Sequence, residues 1–252
     1  MKKNSQSQSI HQQPKTNNTL VLIMQEWLTI PVRLYRNWLI NSTNTIFDRV
    51  EAYFHKDKIE AGTDEAGRGC LAGPVFAAAV ILPKDFNHPF LRDSKQLNTL
   101  QKNELFDLIK LESIAHSIQK VSPKKIDKIN ILNASILAMH KAIKSLHTQP
   151  EFILVDGNRF TPYPQIPHAT VIKGDDKYYS IAAASVLAKV ARDRYMTKMA
   201  RKYPHYAWDS NYGYPTQAHR TGIEEYGATP LHRKSFKLLA HMDKMNQLDL
   251  FN

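Results

Sequence analysis

Four acidic side chains occur beside or within apolar segments from which water should be largely excluded. They are Asp64 and Glu65, just ahead of a glycine-flanked arginine; Asp156, which ends the run FILVD; and Asp193, in a stretch that begins SIAAASVLAKVA. An unpaired buried carboxylate is costly, and several in one place raise one another's pKa. A bound cation would offset this repulsion and so allow several carboxylates to lie together.

Oxygen ligands of this kind favour a hard divalent cation. The chain has a single cysteine, Cys70, so a zinc site built from several thiolates is excluded. Carboxylates without thiolates select Mg²⁺ or Mn²⁺. Two such ions about 4 Å apart form a phosphoryl-transfer site, in which one activates the attacking water and the other stabilises the leaving oxygen. The acidic residues therefore predict a magnesium or manganese centre.

The first three acids also have ordinary explanations. Asp64 and Glu65 could open a turn, and Asp156 with Gly157 could begin a tight loop. Neighbours on a regular strand point to opposite faces. Asp64 and Glu65 can therefore share a site only if the strand bends or ends there, which the glycines that follow would permit.

Asp193 could simply pair with Lys189, one helical turn earlier, although lysine ahead of the acid is the less favourable order. Ser185, Lys189 and Asp193 advance by four, however, and form one polar stripe on an otherwise apolar helix. A polar stripe directed inward is more typical of a site than of a surface ion pair.

The formal net charge of the 252-residue chain is +11. Such a balance favours polyanionic partners, nucleic acid first and an anionic membrane second, although it could also serve solubility alone. Residues 20–40 are apolar but are interrupted by Glu26, Pro31, Arg33 and Arg36, so they form a poor membrane span. One cysteine suits a reducing compartment, and we expect a cytoplasmic protein without a membrane partner.

The pattern along the chain predicts an α/β fold with a helical C-terminal part. The predicted strands are 63–66, 75–82, 114–121, 152–156 and 168–172. The predicted helices are 99–111, 127–146, 178–202 and a further one after Thr216. Residues 1–58 are interpreted as an N-terminal extension, disordered over 1–18 and helical after that, residues 59–236 as the catalytic domain, and residues 237–252 as a C-terminal tail.

Eight motifs, taken together and in order, resemble the ribonuclease HII family over residues 59–236. They are DEAGRG at 64–69, LAGPV at 71–75, DSKQL at 93–97, VDG at 155–157, KGD at 173–175, AAASVLAKVARD at 182–193, GYPT at 213–216 and HRKSF at 232–236. The resemblance implies a ribonuclease H-like fold, a mixed central β-sheet flanked by helices. The related ribonuclease HIII has a different glycine motif, so the intact Gly-Arg-Gly favours HII.

The resemblance also implies an activity, hydrolysis of the phosphodiester on the 5′ side of ribonucleotides in RNA/DNA hybrids or embedded in duplex DNA. The products would carry 3′-hydroxyl and 5′-phosphate ends, as ribonucleotide excision repair and primer removal in DNA replication require. The expected cofactors are two Mg²⁺ or Mn²⁺ ions in a monomeric enzyme.

Individual roles follow from the same resemblance. The four metal-binding acids of the family correspond to Asp64, Glu65, Asp156 and Asp193. The residues expected to bind substrate are Gly67, Arg68 and Gly69, which would test for the 2′-hydroxyl; Tyr214, which would pack on the following deoxyribose; and Lys95 and Lys189, near the phosphate backbone. Taken alone, Tyr214 would be a loop aromatic and the lysines solvated surface. Cys70 and Tyr212 replace the proline and lysine common in the family.

The C-terminal sequence QLDLF resembles the short peptide by which bacterial replication and repair proteins bind the sliding clamp. Its expected anchors are Gln247, Leu248, Leu250 and Phe251, which would insert into an apolar pocket. The alternative is a terminal helix whose leucines pack on the domain itself.

Two other functions stay open from the sequence. The chain could be a catalytically inert nucleic-acid-binding module, although the four acids would weaken phosphate binding without metal. It could also be a metal-independent ribonuclease that uses histidines as acid and base. His205, His219 and His232 have no motif partner, however, and lone histidines are usually structural.

Overall fold

The computed structural model describes residues 50–88, 91, 97–239 and 250–251. The chain divides into two compact units, Met1–Phe47 and Asp48–Asn252, and the described residues all lie in the second. The predicted disorder of residues 1–18 and most of the predicted N-terminal helix therefore fall outside the described residues, as does Lys95.

A five-stranded mixed sheet forms the centre of the described unit. Its strands are β1 (Glu60–Ala66), β2 (Val75–Ile81), β3 (Ala115–Val121), β4 (Phe152–Asp156) and β5 (His168–Val171). The spatial order is β3-β2-β1-β4-β5. The β1–β2 and β2–β3 pairs are antiparallel, whereas β1–β4 and β4–β5 are parallel. The mixed sheet of the predicted α/β class is thus confirmed.

Helices cover both faces of this sheet. They are α1 (Thr99–Glu112), α2 (Pro123–Ile129), α3 (Ile131–Lys144), α4 (Tyr179–Ala200), α5 (Trp208–Asn211) and α6 (Gln217–Tyr226), with 3₁₀ turns at Gly174–Asp176 and Pro204–Tyr206. One core layer lies between the sheet and α3, and the other between the sheet, α1 and α4. Because both faces are covered, β2 is apolar and buried along its whole length.

The single helix expected over residues 127–146 is two helices. Asn130 adopts φ 65°, outside the helical region, and so ends α2. Its side-chain oxygen accepts a hydrogen bond from the Asn133 N–H and thereby caps the start of α3. The other helices and strands agree with their predicted positions to within three residues at each end.

A third apolar cluster packs the helical C-terminal part beside the loop after β1. It places Leu71 and Ala72 against Met196, Trp208 and Ile223. The described residues ahead of β1 also contact the sheet unit: the Glu51 N–H donates to the Lys177 carbonyl oxygen, at 2.7 Å. The predicted division at residue 58 stays a prediction. Within the described ranges, no helix is both long and apolar enough to cross a membrane.

Candidate active site

Two carboxylates lie side by side where parallel strands β1 and β4 end. The last aligned pair is Thr63 with Val155, and Asp64 and Asp156 are the next residues on the two strands. Alternation along a strand places both on the sheet face that packs against α4. Asp64, Glu65 and Asp156 are called the carboxylate edge below.

Asp64 is the most deeply buried member of the carboxylate edge, with 7% of its surface exposed. Burial raises the pKa of this carboxyl well above its ordinary value, and repulsion from Glu65 and Asp156 adds to the rise. Hydrogen bonds from the Ser185 hydroxyl and from the Glu65 N–H, at 2.6 Å, act in the opposite direction. Asp64 therefore carries its negative charge at a cost to stability.

Glu65 belongs to the opposite face by strand alternation, yet β1 ends only one residue later, at Ala66. Its carboxylate accepts a hydrogen bond from Arg68 at 3.0 Å. Burial raises the pKa of Glu65, Arg68 lowers it, and Asp156 raises it again. The convergence of Asp64, Glu65 and Asp156 expected from the sequence stays a prediction.

Asp193 lies on the same polar stripe of α4 but has a different partner. Ser185 faces Asp64, whereas the Lys189 ammonium forms an ion pair with Asp193 at 2.8 Å. Eight residues of helix separate Ser185 from Asp193, about 12 Å. All three residues of the stripe are half-buried, and the alternative pairing of Asp193 with Lys189 is present. Burial raises the pKa of Asp193, and Lys189 opposes the rise.

The donor set of the carboxylate edge fits a hard divalent cation. Burial and repulsion between carboxylates raise the pKa of Asp64 and of Glu65, and a bound cation would offset both effects. Within the described ranges, no group of three or more His, Cys, Asp and Glu side chains lies close enough together to hold a metal ion. The fit rests on the chemistry of these oxygens.

Residues 67–74 connect β1 to β2 and are called the glycine loop. Gly67 has φ +94°, and a Cβ built there would lie 2.0 Å from Nε of Arg192. Gly69 has no such constraint: its backbone angle is ordinary, and a Cβ would meet no described atom within 4 Å. The two glycines of the Gly-Arg-Gly motif therefore have different surroundings, one in contact with a buried arginine and the other facing open space.

Tyr214 lies over α4 next to this loop, with 38% of its surface exposed. Its ring centroid is 5.4 Å from the Lys189 ammonium and 5.9 Å from the Arg192 guanidinium carbon. The Tyr214 side chain hydrogen-bonds with the thiol of buried Cys70, and burial raises the pKa of the phenol. Tyr212 also lies near Lys189, with 5.0 Å from ring centroid to ammonium. The structure thus brings Tyr214, Lys189 and Asp193 together.

Two buried histidines support the backbone around Tyr214, called the Tyr214 segment (residues 212–216). The His219 Nδ1–H donates to the Tyr214 carbonyl oxygen at 2.8 Å, and its Nε2 accepts from Trp208 at 2.9 Å. His232 Nδ1 accepts from the Thr229 N–H, so its Nε2–H donates to His219 Nε2 at 3.1 Å. Both rings are therefore neutral, with fixed tautomers.

These histidines are structural, as lone histidines were expected to be. Burial lowers the pKa of His219 to about 4 and that of His232 to about 3. His205 stacks on the Tyr226 ring with centroids 3.8 Å apart. Every described ring nitrogen of His219 and His232 is hydrogen-bonded within the protein, which leaves neither available as an acid or base for a substrate.

The sequence reasoning missed two arginines, Arg192 and Arg233, both fully buried. They hydrogen-bond to backbone carbonyls of the glycine loop. A signal for each was present in the sequence. Arg192 interrupts an apolar helix directly before Asp193, and Arg233 lies inside the motif HRKSF. Arg233 has no nearby acidic residue in sequence to suggest a partner, and the acidic neighbour of Arg192, Asp193, pairs with Lys189.

The expected clamp anchors are only partly described, since Gln247 and Leu248 fall outside the described residues. Leu250 and Phe251 are half-buried against the C-terminal cluster. The Leu250 carbonyl oxygen accepts a hydrogen bond from the Ala228 N–H, and the Lys234 ammonium lies 4.4 Å from the Phe251 ring centroid. These contacts correspond to the alternative in which the terminal residues pack on the domain.

Comparison with known proteins points to one family. A family model described as Ribonuclease HII matches residues 61–239. A protein named Ribonuclease HII from Parabacteroides distasonis is 60% identical over 187 residues, which cover 74% of this chain and 94% of that protein. Another of that name from Christiangramia forsetii is 57% identical over 194 residues, covering 77% and 98% of the two chains.

Solved structures agree in fold. The crystal structure of ribonuclease H2 from Pyrococcus horikoshii matches with a TM-score of 0.63 and 26% identity, covering 76% of this chain and 98% of that one. The ribonuclease HII in a PCNA complex from Archaeoglobus fulgidus matches with a TM-score of 0.59, at 26% identity and with coverage of 73% and 98%.

Proposed function

The chain belongs to the ribonuclease HII family and is a type 2 ribonuclease H, and we propose that Asp64, Glu65, Asp156 and Asp193 form its catalytic centre. The observation that carries this proposal is the position of Asp64 and Asp156 on the adjoining strands β1 and β4, together with the repulsion between these carboxylates and Glu65. A structural role for this edge would not require three mutually repelling carboxylates. Asp193 is included because it lies on the stripe of α4 whose Ser185 hydrogen-bonds to Asp64.

The family depends on divalent metal in general, and for this chain the proposed ions are Mg²⁺ or Mn²⁺, two per site. The carboxylates of the edge and Asp193 would hold them. Bound there, the ions would supply an activated water and charge stabilisation for the leaving oxygen. The strand ends fix Asp64 and Asp156, and Ser185 orients Asp64 by its hydrogen bond.

Other residues of the site are proposed to bind the substrate. Arg68 is exposed while it pairs with Glu65, so its guanidinium can turn to a phosphate. The open side of Gly69 permits close approach of a sugar, where a 2′-hydroxyl distinguishes RNA from DNA. Tyr214 offers a partly exposed ring for the following deoxyribose, and Lys189 and Lys95 are proposed to contact the phosphate backbone.

A duplex with one embedded ribonucleotide tests the proposed reaction. The protein is incubated with the duplex and Mg²⁺ or Mn²⁺, and then with EDTA. We expect nicking 5′ of the ribonucleotide that leaves 3′-hydroxyl and 5′-phosphate ends and stops with EDTA. Cleavage that persists in EDTA and yields a cyclic phosphate would contradict the metal site. Binding without any cleavage would indicate an inert module instead.

We further propose that the C-terminal peptide binds a sliding clamp. The support is the QLDLF sequence and the PCNA complex of the Archaeoglobus fulgidus homologue. Because Leu250 and Phe251 pack on the domain, they must leave it before they enter a clamp pocket. Micromolar binding to the bacterial clamp is expected, lost in the Leu250→Ala/Phe251→Ala double variant but kept in Asn252→Ala. Equal binding by the double variant would remove the proposal.

A further inference from the structure

Two fully buried arginines, Arg192 and Arg233, donate their hydrogen bonds to backbone carbonyls. Arg233 donates to the carbonyl oxygens of Gly67 at 2.6 Å, Arg68 at 2.8 Å, and Gly73 at 2.9 and 3.0 Å. Arg192 donates to those of Ala72 at 3.0 Å, Pro74 at 3.1 Å and Tyr212 at 2.9 Å. Within the described part of the chain, all these acceptors are backbone carbonyls, and five of the six residues belong to the glycine loop.

Burying a guanidinium charge costs free energy even when neutral carbonyl groups accept its hydrogen bonds. Packing alone therefore does not explain why two arginines are buried here. A guanidinium carries five N–H donors in a rigid plane, which lets one side chain fix several carbonyls at once. The glycine loop contains three glycines and would otherwise be free to adopt many conformations. The two arginines therefore restrict a loop whose sequence gives it little rigidity of its own.

Each arginine also connects the loop to another part of the site. Arg192 directly precedes Asp193 on α4, and its bond to the Tyr212 carbonyl reaches the segment that carries Tyr214. Arg233 follows His232, which bonds to His219, and precedes a backbone turn held by Asp127. The Asp127 carboxylate accepts bonds from Lys234 N at 3.1 Å, Ser235 N at 2.9 Å and the Ser235 hydroxyl at 2.7 Å.

The loop has one occupied side and one open side. A Cβ at Gly67 would meet the Arg192 side chain at 2.0 Å, and one at Gly73 would meet Sδ of Met196 at 2.4 Å. A Cβ at Gly69 would meet no described atom, and the Arg68 side chain is about half exposed, at 53%. The arginines thus hold the inner side of the loop and leave Arg68 and Gly69 facing outward.

We propose that Arg192 and Arg233 are positioning residues for ribonucleotide recognition: they hold the glycine loop in the one shape in which Arg68 and Gly69 meet the sugar. The inference rests on the proposed function and concerns the selectivity of the same site. It assigns neither arginine a contact with the substrate. A loop released from them would sample several shapes, and only a fraction of the molecules would be ready to bind.

Arg233→Lys tests the inference, because lysine keeps the charge but has one donor centre, which cannot reach three carbonyls. We expect the affinity advantage of a single-ribonucleotide duplex over the all-DNA duplex of the same sequence to fall about tenfold, with KM raised and kcat within about threefold. Arg220→Lys is the matched control, since the half-buried Arg220 donates to the Leu238 carbonyl, outside the loop. It should change none of these values.

Asp127→Ala tests the inference independently, because it loosens the segment that carries Arg233 without removing a buried charge. We expect selectivity to fall in this variant too, by less than in Arg233→Lys. If Arg233→Lys does not fold, the result for Asp127→Ala decides the question. A merely structural role would lower the active fraction, and therefore kcat, and leave KM and the affinity ratio unchanged; that result would overturn the inference. A wild-type protein that does not nick the duplex would instead reject the proposed function.

Discussion

The carboxylate edge and the glycine loop are adjacent in sequence and both involve buried charge, but the partners of that charge differ. At the edge, Asp64 has like-charged neighbours, and burial raises its pKa well above the ordinary value. Beneath the loop, Arg192 and Arg233 are also fully buried, yet each is surrounded by carbonyl oxygens that accept its N–H groups.

This difference distinguishes buried charges that would serve catalysis from buried charges that stabilise one conformation. A buried charge whose hydrogen bonds are satisfied contributes to one fixed conformation. A buried charge held against like charges destabilises the fold and is retained for function. The comparison therefore predicts opposite effects on stability. Removing a charge at the carboxylate edge should abolish activity but stabilise the fold, whereas disturbing the contacts of the glycine loop should destabilise it.

The largest expected effect is that of Asp64→Asn. The amide keeps the size of the carboxylate and can still accept from Glu65 N–H and Ser185, but it cannot supply the anionic metal ligand. Cleavage should fall by ~1,000-fold or more, while affinity for the ribonucleotide duplex changes little. Because Asn removes a charge that burial and neighbours oppose, the variant should also gain about 1–3 kcal/mol of stability in EDTA.

Single-turnover nicking and denaturant unfolding in EDTA measure the two halves of this prediction. Mn²⁺ should raise the Tm of the wild type more than that of Asp64→Asn, because the variant lacks one anionic ligand. Asp107→Asn is the control, since Asp107 is an exposed carboxylate on α1. Retained turnover, or a variant less stable than the wild type in EDTA, would contradict the assignment of the carboxylate edge.

Two glycine substitutions test the stability of the glycine loop. Gly67→Ala places a methyl group against Arg192 at a φ of +94°, so we expect a loss of about 3 kcal/mol in unfolding free energy. Gly69→Ala meets open space at an ordinary backbone angle and should stay within about 0.5 kcal/mol of the wild type. Urea unfolding of the pair compares them directly.

Activity separates the two glycines further. Gly69→Ala should weaken cleavage of the single-ribonucleotide duplex although the protein is fully folded, because the methyl group extends from the open side of the loop. If Gly69→Ala were as destabilising as Gly67→Ala, the division of the loop into an occupied and an open side would be wrong.

Acid pH tests the histidine pair that supports the Tyr214 segment. The unfolded-state pKa is near 6.5, whereas burial lowers the folded values to about 4 for His219 and about 3 for His232. Between these values the unfolded chain binds more protons, so stability is complete above about pH 6.5 and falls as the pH falls toward the folded values. From pH 6.5 to pH 5 the loss is about 2 kcal/mol for each histidine.

Carboxyls with a raised pKa act in the opposite sense in part of this range, so the histidine contribution must be isolated. His232→Gln removes one titrating ring. The difference in unfolding free energy between wild type and His232→Gln should therefore shrink as the pH is lowered from 7 to 5. A difference that stays constant would mean that His232 is not neutral in the folded protein.

The carboxylate edge could be predicted from the sequence because its signal is local. An acid at the end of an apolar run marks a strand end, and parallel strand ends meet at one edge of a sheet. Asp64 and Asp156 were singled out because each borders an apolar segment, and their strands were predicted with nearly the observed bounds. The activity itself came from the combined motifs, which no single residue pattern would have indicated.

The arginine and histidine contacts could not be predicted because their partners leave no trace in residue type. Arg192 and Arg233 bond to backbone carbonyls, which every residue carries, and more than 100 residues separate them from their loop partners. His219 and His232 are 13 residues apart in sequence, and α6 with the turn that follows it brings them into contact. The break at Asn130 was also missed, since asparagine inside an apolar periodic segment does not by itself indicate a positive φ.

Tyr214 lies where the two regions meet and should give the smallest effect. Its ring is above Lys189 and Arg192, and its hydroxyl pairs with Cys70. Tyr214→Ala removes the exposed ring that we propose packs on the deoxyribose, so KM for the single-ribonucleotide duplex should rise about tenfold. Tyr214→Phe keeps the ring and loses only the Cys70 contact, so it should stay within about threefold of the wild type.

Comparing the single-ribonucleotide duplex with a continuous RNA/DNA hybrid decides whether this effect reports on the junction between ribonucleotide and DNA. A continuous RNA/DNA hybrid offers ribose on both sides of most cleavage positions, so the contact with a following deoxyribose matters less there. Tyr214→Ala should therefore lower kcat/KM on the single-ribonucleotide duplex more than on the hybrid. An equal drop on both substrates would show that Tyr214 supports the fold of the site, as its contacts with Cys70 and His219 would also allow, and does not read the junction.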